Sequence, residues 1–378
     1  MAMQDLRQQI DEINREIAQL FEKRMEISGE IAKQKKENHL PVFDPERERA
    51  IINEVTAGVR EPFADYTGVL FRTIFDLSRS YQRQCLSTRS PLNALIDRAV
   101  SETPVLRPER AVVACQGVEG AYSQHACDKL FKYPTIMYFS QFEDICKAVD
   151  SGLCRYGILP VENSTAGSVN EVYDLMSKYK FYITTSMRLF IAHALLAKKG
   201  CDPDKISIVY SHEQALRQCK DFIDRNHYRA HVCKNTAAAA KLVAEKDRED
   251  IAAIGSIDCA ALYDLQVLST NIQNTQNNYT RFICISKTPE IYPGAKKTSI
   301  TFTIANKPGS LYHLLARFAA LGLNLTKLES RPIAGTDFEF RFYFDIEESV
   351  HSPALRALIC ELENDSEDFT YLGTYTEE

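Results

Sequence analysis

The feature that most restricts what this chain can fold into is a stripe at its start. Leu6, Ile10, Ile13, Ile17, Leu20, Ile27 and Ile31 recur in steps of four and three, the spacing that lines one seam of a long α-helix packed on other helices. The seam position between Leu20 and Ile27 is Arg24. A guanidinium in an apolar seam is costly unless an anion meets it, so either a protein carboxylate or a ligand must do so. Lys35 points from the same face about 16 Å further along the axis, and two such cations can reach one small dianion from either side. Arg7 lies about 42 Å of helix away from Lys35. If both serve one ligand, Arg7 must come from a second, antiparallel chain.

This helix is expected to end near Asn38. Asp44 and Pro45 then supply an N-cap and a first-turn proline for a second helix, and Gly58 suits its end. A third helix is expected from about Asp65, where Phe71, Phe75, Ser78 and Gln82 repeat the stripe. Ser78 and Gln82 put polar groups on a core-facing line, where they need partners. Glu46 and Arg49 read as a solvated face. A bundle whose inner face carries Arg24, Lys35, Arg47, Ser78 and Gln82 is a cage for a small polyanion, although a coiled-coil dimerisation module with a salt-bridged core would use the same pattern.

Residues 1–88 resemble the all-helical chorismate mutases. The resemblance is carried by Leu6-Arg7-Gln8-Gln9-Ile10-Asp11, Lys23-Arg24, Ala32-Lys33-Gln34-Lys35, Pro41-Val42-Phe43-Asp44-Pro45-Glu46-Arg47-Glu48 and Ser78-Arg79-Ser80-Tyr81-Gln82. It implies a homodimer of three-helix chains with exchanged long helices, in agreement with the Arg7 geometry. Rearranging chorismate to prephenate is unimolecular and needs no acid, base or nucleophile. It needs a compactly folded dicarboxylate and stabilised charge on the breaking ether oxygen. By resemblance, Arg24 and Arg7 of the partner subunit hold the carboxylates with help from Arg47 and Ser78, Lys35 and Gln82 donate to the ether oxygen, and Asp44 and Glu48 meet the ring hydroxyl.

At 378 residues the chain has room for two or three domains. A net charge of -6 argues against nucleic acid or an anionic membrane as the principal partner. The eleven cysteines include no C-x-x-C pair; scattered through apolar segments, they read as reduced core residues rather than metal ligands. The longest apolar run, around 189–197, is too short to span a bilayer. A soluble cytoplasmic protein is expected.

Residues 89–108, with Pro91, Pro104 and Pro108 flanking a short helical stretch at 92–100, read as a linker. From 109 to 286, strand-like runs at 111–115, 136–139, 156–160, 206–210, 230–233 and 252–254 alternate with amphipathic segments, implying a mostly parallel α/β sheet. Gly117-Val118-Glu119-Gly120 follows the first strand, but Cys115 stands where a dinucleotide loop would begin with glycine. Polar turns recur instead: Tyr122-Ser123, Glu162-Asn163-Ser164-Thr165, Ser211-His212, Asn235-Thr236, and Asn277-Asn278-Tyr279-Thr280-Arg281-Phe282. Each alone could be an N-cap; converging, they describe a site for a carboxylated small molecule.

This region resembles prephenate dehydratase through Gly117-Val118-Glu119-Gly120-Ala121-Tyr122-Ser123, the run from Pro160 through Asn163-Ser164-Thr165 to Val169, Ser211-His212 with Gln218-Cys219, and Thr280-Arg281-Phe282. The resemblance implies two α/β lobes about a cleft, arranged like periplasmic binding proteins, with crossovers near 189 and 269. Prephenate loses carbon dioxide and its ring hydroxyl together, and a positioned hydroxyl can assist the departing oxygen without cofactor or metal. By resemblance Thr280 has that role, Arg281 orients it or binds carboxylate, and Asn163, Ser164, Ser211 and Gln218 line the cleft.

In 297–378, strands at 299–304, 325–331, 338–346 and 369–375 with helices at 311–321 and 354–362 give the order βαββαβ of an α+β ferredoxin-like sandwich, with Pro308 in the first helical turn. A small packing domain would satisfy the same pattern. Lys307-Pro308-Gly309-Ser310-Leu311 and Leu328-Glu329-Ser330-Arg331-Pro332 resemble the phenylalanine-binding motifs of the ACT domain fused to prephenate dehydratases, with Ser310 replacing the commoner alanine. The resemblance implies an L-phenylalanine site formed by Gly309, Ser310, Leu311, Asn324, Glu329, Ser330, Arg331 and Pro332 in a dimer or tetramer. The expected whole is an all-α mutase module, a two-lobed α/β dehydratase and an ACT domain, converting chorismate to phenylpyruvate under end-product control. A phenylalanine-responsive binding protein with decayed catalytic modules, and a preference for arogenate over prephenate, are the alternatives.

Overall fold

The computed structural model describes residues 3–38, 40–86, 90–333, 335, 339–366 and 368–378. Ser87 and Thr88, read as the end of the helical module, Arg89, read as the start of the linker, and Phe338, read as the start of a strand, lie outside the described residues. The chain forms two compact units, Met1–Leu95 with Ile300–Thr370, and Ile96–Ser299 with Tyr371–Glu378.

The first unit opens with helices α1 (Met3–Glu37), α2 (Pro45–Ala57) and α3 (Ala64–Leu86); the next helix, α4 (Pro91–Glu102), begins in the first unit and ends in the second. Asp44 caps α2 by accepting the Arg47 backbone N–H at 3.0 Å, with Pro45 at the first helical position. Gly58 ends α2 in a right-handed conformation (φ -81°) that any residue could adopt, so glycine is not required there. Arg24 pairs with Ser78 and Ser28 with Gln82, each across 54 residues. The constant offset means that α1 and α3 run parallel, with α2 bringing the chain back. Gly29 lets them approach, since a Cβ there would stand 3.2 Å from Tyr81 Cε1.

The second unit holds two sheets. The first lobe is built from β1 (Arg110–Gln116), α5 (Tyr122–Leu130), β2 (Tyr133–Phe139), α6 (Phe142–Asp150), β3 (Tyr156–Asn163), β4 (Gly167–Ser168), α7 (Asn170–Lys178) and β5 (Tyr182–Phe190). The second comprises β6 (Ala194–Lys198), β7 (Ile208–Ser211), α8 (Glu213–Gln218), α9 (Lys220–Arg225), β8 (Arg229–Val232), α10 (Thr236–Glu245), β9 (Ile251–Gly255), α11 (Asp258–Leu262) and β10 (Leu265–Ser269). Strand β11 (Tyr279–Ser286) returns to the first sheet, giving the orders β5-β11-β3-β1-β2 and β10-β6-β9-β7-β8. The chain therefore passes between lobes at 190–194 and 269–279.

Neither sheet is mostly parallel, contrary to expectation. β1 is parallel to β2 and β3, and β7 to β8 and β9; β11 is antiparallel to β3 and β5, and β6 to β9 and β10. Apart from the local β3–β4 hairpin, the antiparallel pairings involve strands that enter a sheet from the other lobe, where no crossover helix fixes a parallel direction.

The chain continues through β12 (Lys297–Ile304), α12 (Ser310–Ala320), β13 (Leu325–Pro332), β14 (Phe340–Ile346), α13 (Pro353–Asp365) and β15 (Thr370–Glu377), with strand order β13-β14-β12-β15. That is the order of a ferredoxin-like βαββαβ sandwich. Gly309 is the N-cap of α12 with φ +86°, so Pro308 precedes the helix instead of occupying its first turn. Within the first unit α12 and α13 pack on α3, and the buried Glu361 carboxylate is met by Arg83 at 2.7 Å, Arg317 at 3.0 Å and the Ser80 hydroxyl at 2.8 Å. The end of β15 belongs to the second unit, where Thr376 and Glu377 pair with Thr185 and Ser186 of β5. No helix among the described residues is long and apolar enough to cross a membrane.

Candidate active sites

A cavity of about 420 Å³ lies between the lobes of the second unit. Asn163 at the end of β3 and Thr280 at the start of β11 are register partners, and both line the cavity with Gln218, His193, Tyr122 and Lys234. The hydrogen bonds joining them have a fixed sense, anchored on the backbone. Asn163 Oδ1 accepts the N–H groups of Thr165 and Ala166, each at 3.0 Å, so its Nδ2 is the donor to Thr280 Oγ1 at 2.9 Å. Asn278, fully buried, donates from Nδ2 to the Ile191 carbonyl at 3.2 Å and to Gln218 Oε1 at 3.0 Å. Gln218 Nε2 therefore donates to Thr165 Oγ1 at 2.7 Å, and the Thr165 hydroxyl donates to Asn163 Oδ1 at 2.7 Å.

Three expected cleft residues are elsewhere. Strand alternation turns Arg281 to the face opposite Thr280, where it is buried, donates to Tyr375 Oη at 2.8 Å and pairs with Glu377 at 3.3 Å. Burial pushes the Glu377 carboxyl up, but its bond to Lys297 and the nearby arginines outweigh burial and hold it below its ordinary value. Ser164 braces a turn, donating to the Asn277 carbonyl at 2.8 Å and accepting the Tyr279 N–H at 2.9 Å. Ser211, fully buried, ties β7 to β9 by donating to the Ile254 carbonyl at 2.6 Å. A polar residue beside a strand mouth is thus not enough; its parity along the strand decides which face it serves.

The cleft also contains groups beyond the individually expected site residues. Tyr122, Ser123, Asn235 and Thr236 lie in turns already noted, whereas His193 and Lys234 were unmarked. His193 sits in an apolar run and reads as core; only its place at the chain crossing distinguishes it. Burial lowers its pKa below the ordinary 6.5, opposed by its contact with Gln218. Burial likewise lowers His212 and raises Tyr122 well above its ordinary value. Lys234 and the N-terminus of α10, capped by Asn235 accepting the Ala238 N–H at 2.7 Å, give the cleft positive character.

In the helical part of the first unit, Arg24 is half-buried, bonded to Ser78, and 5.4 Å over the Phe75 ring. Burial lowers its pKa, while nearby Glu48 raises it. Gln82 is buried; one end of its amide meets Ser28 Oγ at 2.8 Å and the other has no partner. Lys35 Nζ donates to the Val42 carbonyl at 2.6 Å. Glu48 pairs with Arg79, which also holds Asp76, two residues that carried no expected role. Arg47 and Arg7 are exposed, and Asp44 serves as the cap of α2.

Of the expected phenylalanine-site residues, Gly309 has the left-handed backbone noted above, and Ser310 and Leu311 begin α12. Asn324 donates to Glu347 at 2.7 Å. Along β13, Glu329 and Arg331 are half-buried whereas Ser330 and Pro332 are exposed, so the alternation divides this set between two faces.

Residues 113–290 match the prephenate dehydratase family, and residues 6–83 match type II chorismate mutases. Fold and sites thus define a dehydratase joined to a mutase in one chain. The chain is 31% identical to the bifunctional chorismate mutase/prephenate dehydratase of Enterobacter agglomerans over 99% of its own length and 95% of that protein's. It belongs to the bifunctional chorismate mutase/prephenate dehydratase family, has both activities, and serves phenylalanine biosynthesis. Among solved structures it is similar to the prephenate dehydratase of Arthrobacter aurescens in complex with L-Phe, with 25% identity, TM-score 0.65, and 70% and 89% of the two chains covered. It is also similar to GqqA, described as a quorum-quenching acylase, with 31% identity, TM-score 0.65, and 71% and 98% covered.

Proposed function

We propose that the dehydratase reaction turns on the Thr280 hydroxyl, which donates to the departing ring oxygen of prephenate. The observation that carries this reading is the sense of the Asn163–Thr280 bond: Thr280 Oγ1 accepts, so its own proton is directed to a ligand. Lys234 and the α10 N-terminus take a carboxylate, and decarboxylation with aromatisation drives the loss of hydroxide.

In the mutase, Arg24 holds a carboxylate, and Lys35 leaves its internal acceptor to donate to the ether oxygen. Gln82 joins it: with its amide turned over, Oε1 accepts from the Ser28 hydroxyl and Nε2 faces the ligand, which accounts for the unpartnered end. The second cation for the dicarboxylate is Arg7 of the partner subunit. A dimer is supported by the α1 seam, where Leu6, Ile10, Ile13, Ile17, Leu20, Ile27 and Ile31 are each at least 42% exposed, an apolar stripe that a second copy would cover. Residues 297–378 are read as an ACT domain that binds L-phenylalanine and feeds back on the dehydratase.

The test supplies chorismate and follows prephenate and phenylpyruvate together. Lys35→Ala should slow the mutase by a factor corresponding to about 3 kcal/mol and leave prephenate turnover intact. Thr280→Ala should do the reverse. Loss of both activities from either change in folded protein would refute separate sites.

A further inference from the structure

We infer that His193 is a positioning residue of the dehydratase, bracing Gln218 as the second donor to its Oε1 within the hydrogen-bond chain that ends on Thr280. The inference rests on the reading of Thr280 given above and extends that site by one residue. His193 is buried, with Nε2 3.0 Å from Gln218 Oε1. The backbone anchors leave Gln218 a single orientation, Oε1 accepting from Asn278 and Nε2 donating to Thr165. An acceptor faces Nε2, so that nitrogen carries the proton. Nδ1 lies 3.3 Å from Tyr122 Oη, whose own proton goes to the Ala192 carbonyl at 2.6 Å. Burial disfavours a second proton on the ring, so Nδ1 is bare.

Every link then runs one way: His193 Nε2–H to Gln218 Oε1, Gln218 Nε2–H to Thr165, Thr165 O–H to Asn163 Oδ1, and Asn163 Nδ2–H to Thr280. No proton is transferred along this chain. Its effect is to keep Thr280 a donor toward the cleft, because Thr280 cannot turn its proton on Asn163. Without the His193 donor, Gln218 Oε1 keeps only Asn278, and the side chain can swing away from Thr165. The Thr165 hydroxyl then loses its incoming donor, and Asn163 is held less firmly.

The experiment compares His193→Met with His193→Gln, side chains of similar shape of which only the second can donate to Gln218. Phenylpyruvate formation from prephenate should show kcat lowered roughly tenfold or more in H193M with KM within about twofold, and H193Q within about threefold of the unaltered enzyme. Equal kcat in the two variants would overturn the inference. In a Thr280→Ala background H193M should cost nothing further. An equal cost in both backgrounds would remove His193 while leaving the Thr280 reading standing, whereas unimpaired turnover in Thr280→Ala alone would remove both. Should H193M fail to fold, ¹⁵N spectra of the unaltered enzyme, with H193Q to assign the ring, decide: a protonated Nε2 and bare Nδ1 at neutral pH are expected, and the opposite tautomer would overturn the inference.

Discussion

His313 Nδ1 lies 2.6 Å from Asp76 Oδ2, which joins the helix after Gly309 to the helix that carries Ser78 and Gln82. Asp76 is 3% exposed and is also held by Arg79, whose other end grips Glu48. A buried carboxylate shared by Arg79 and the His313 ring keeps both in place, and Glu48 in turn bears on Arg24. Asp76→Asn removes the charge but not the shape. It should free Arg79, loosen Glu48, and lower mutase kcat/KM by roughly ten- to a hundredfold, the scale of a lost charge-assisted hydrogen bond. Prephenate turnover should be unchanged. Mutase kinetics unaltered in Asp76→Asn would show that this network only packs the unit.

His193 and His212 both have pKa values depressed by burial, which fixes the sign of one pH effect. A histidine neutral in the fold but ordinary when unfolded makes the unfolded chain take up more protons on acidification. Stability is then whole above the unfolded value of 6.5 and declines as pH falls from there toward the folded values. Melting temperature should fall from pH 7 to pH 5, and His193→Gln should flatten part of that slope. A slope indifferent to His193→Gln would assign the acid sensitivity to other groups.

The helical module was legible because its signal is local: residues three and four apart announce a helix and its apolar face, although that face stays exposed in the single chain, where α1 buries Ser28, Gly29 and Ala32 instead. What the sequence did not disclose was set by tertiary geometry. Arg281 was placed in the cleft because it adjoins Thr280, yet pleat alternation sends the two to opposite faces, and only the position of Tyr375, 94 residues on, shows where the guanidinium goes. His193 was hidden for the converse reason: within an apolar run it has no periodic signature, and it gains a role only when the chain crossing brings it to Gln218. Arg79 and Asp76 look like a surface i, i+3 pair until Glu48 and His313 arrive from other elements.

The exposed α1 seam leads to a complementation experiment. Arg7 lies about 42 Å of helix from Lys35, so one chain's α1 cannot deliver both to one chorismate. Mixing Arg7→Ala with Lys35→Ala protein should form hybrids in which one site holds both unaltered groups, and mutase activity should partly return on exchange. No recovery, with hybrids demonstrated by mass, would place Arg7 outside the partner's site.

The final prediction concerns L-phenylalanine. Deleting residues 288–378 cannot test the effector site cleanly, because Tyr375 and Glu377 hold the buried Arg281, and the end of β15 pairs with β5 in the second unit. A substitution at Gly309 is sharper. Its φ of +86° costs an ordinary residue about 1–2 kcal/mol, and an added Cβ would stand 3.2 Å from His313 Nε2. Gly309→Val should therefore distort the turn that opens α12, and little beyond it. Inhibition by an effector requires that it bind two states unequally, with a coupling of about 1–3 kcal/mol being typical. In Gly309→Val, the L-phenylalanine concentration giving half-inhibition should rise roughly tenfold or more within that range, while turnover without effector stays within about twofold. Calorimetric titration should show the same loss of binding. Inhibition at an unchanged concentration would mean that phenylalanine acts as a product-like competitor in the cleft beside Thr280, and the regulatory reading of residues 297–378 would fall.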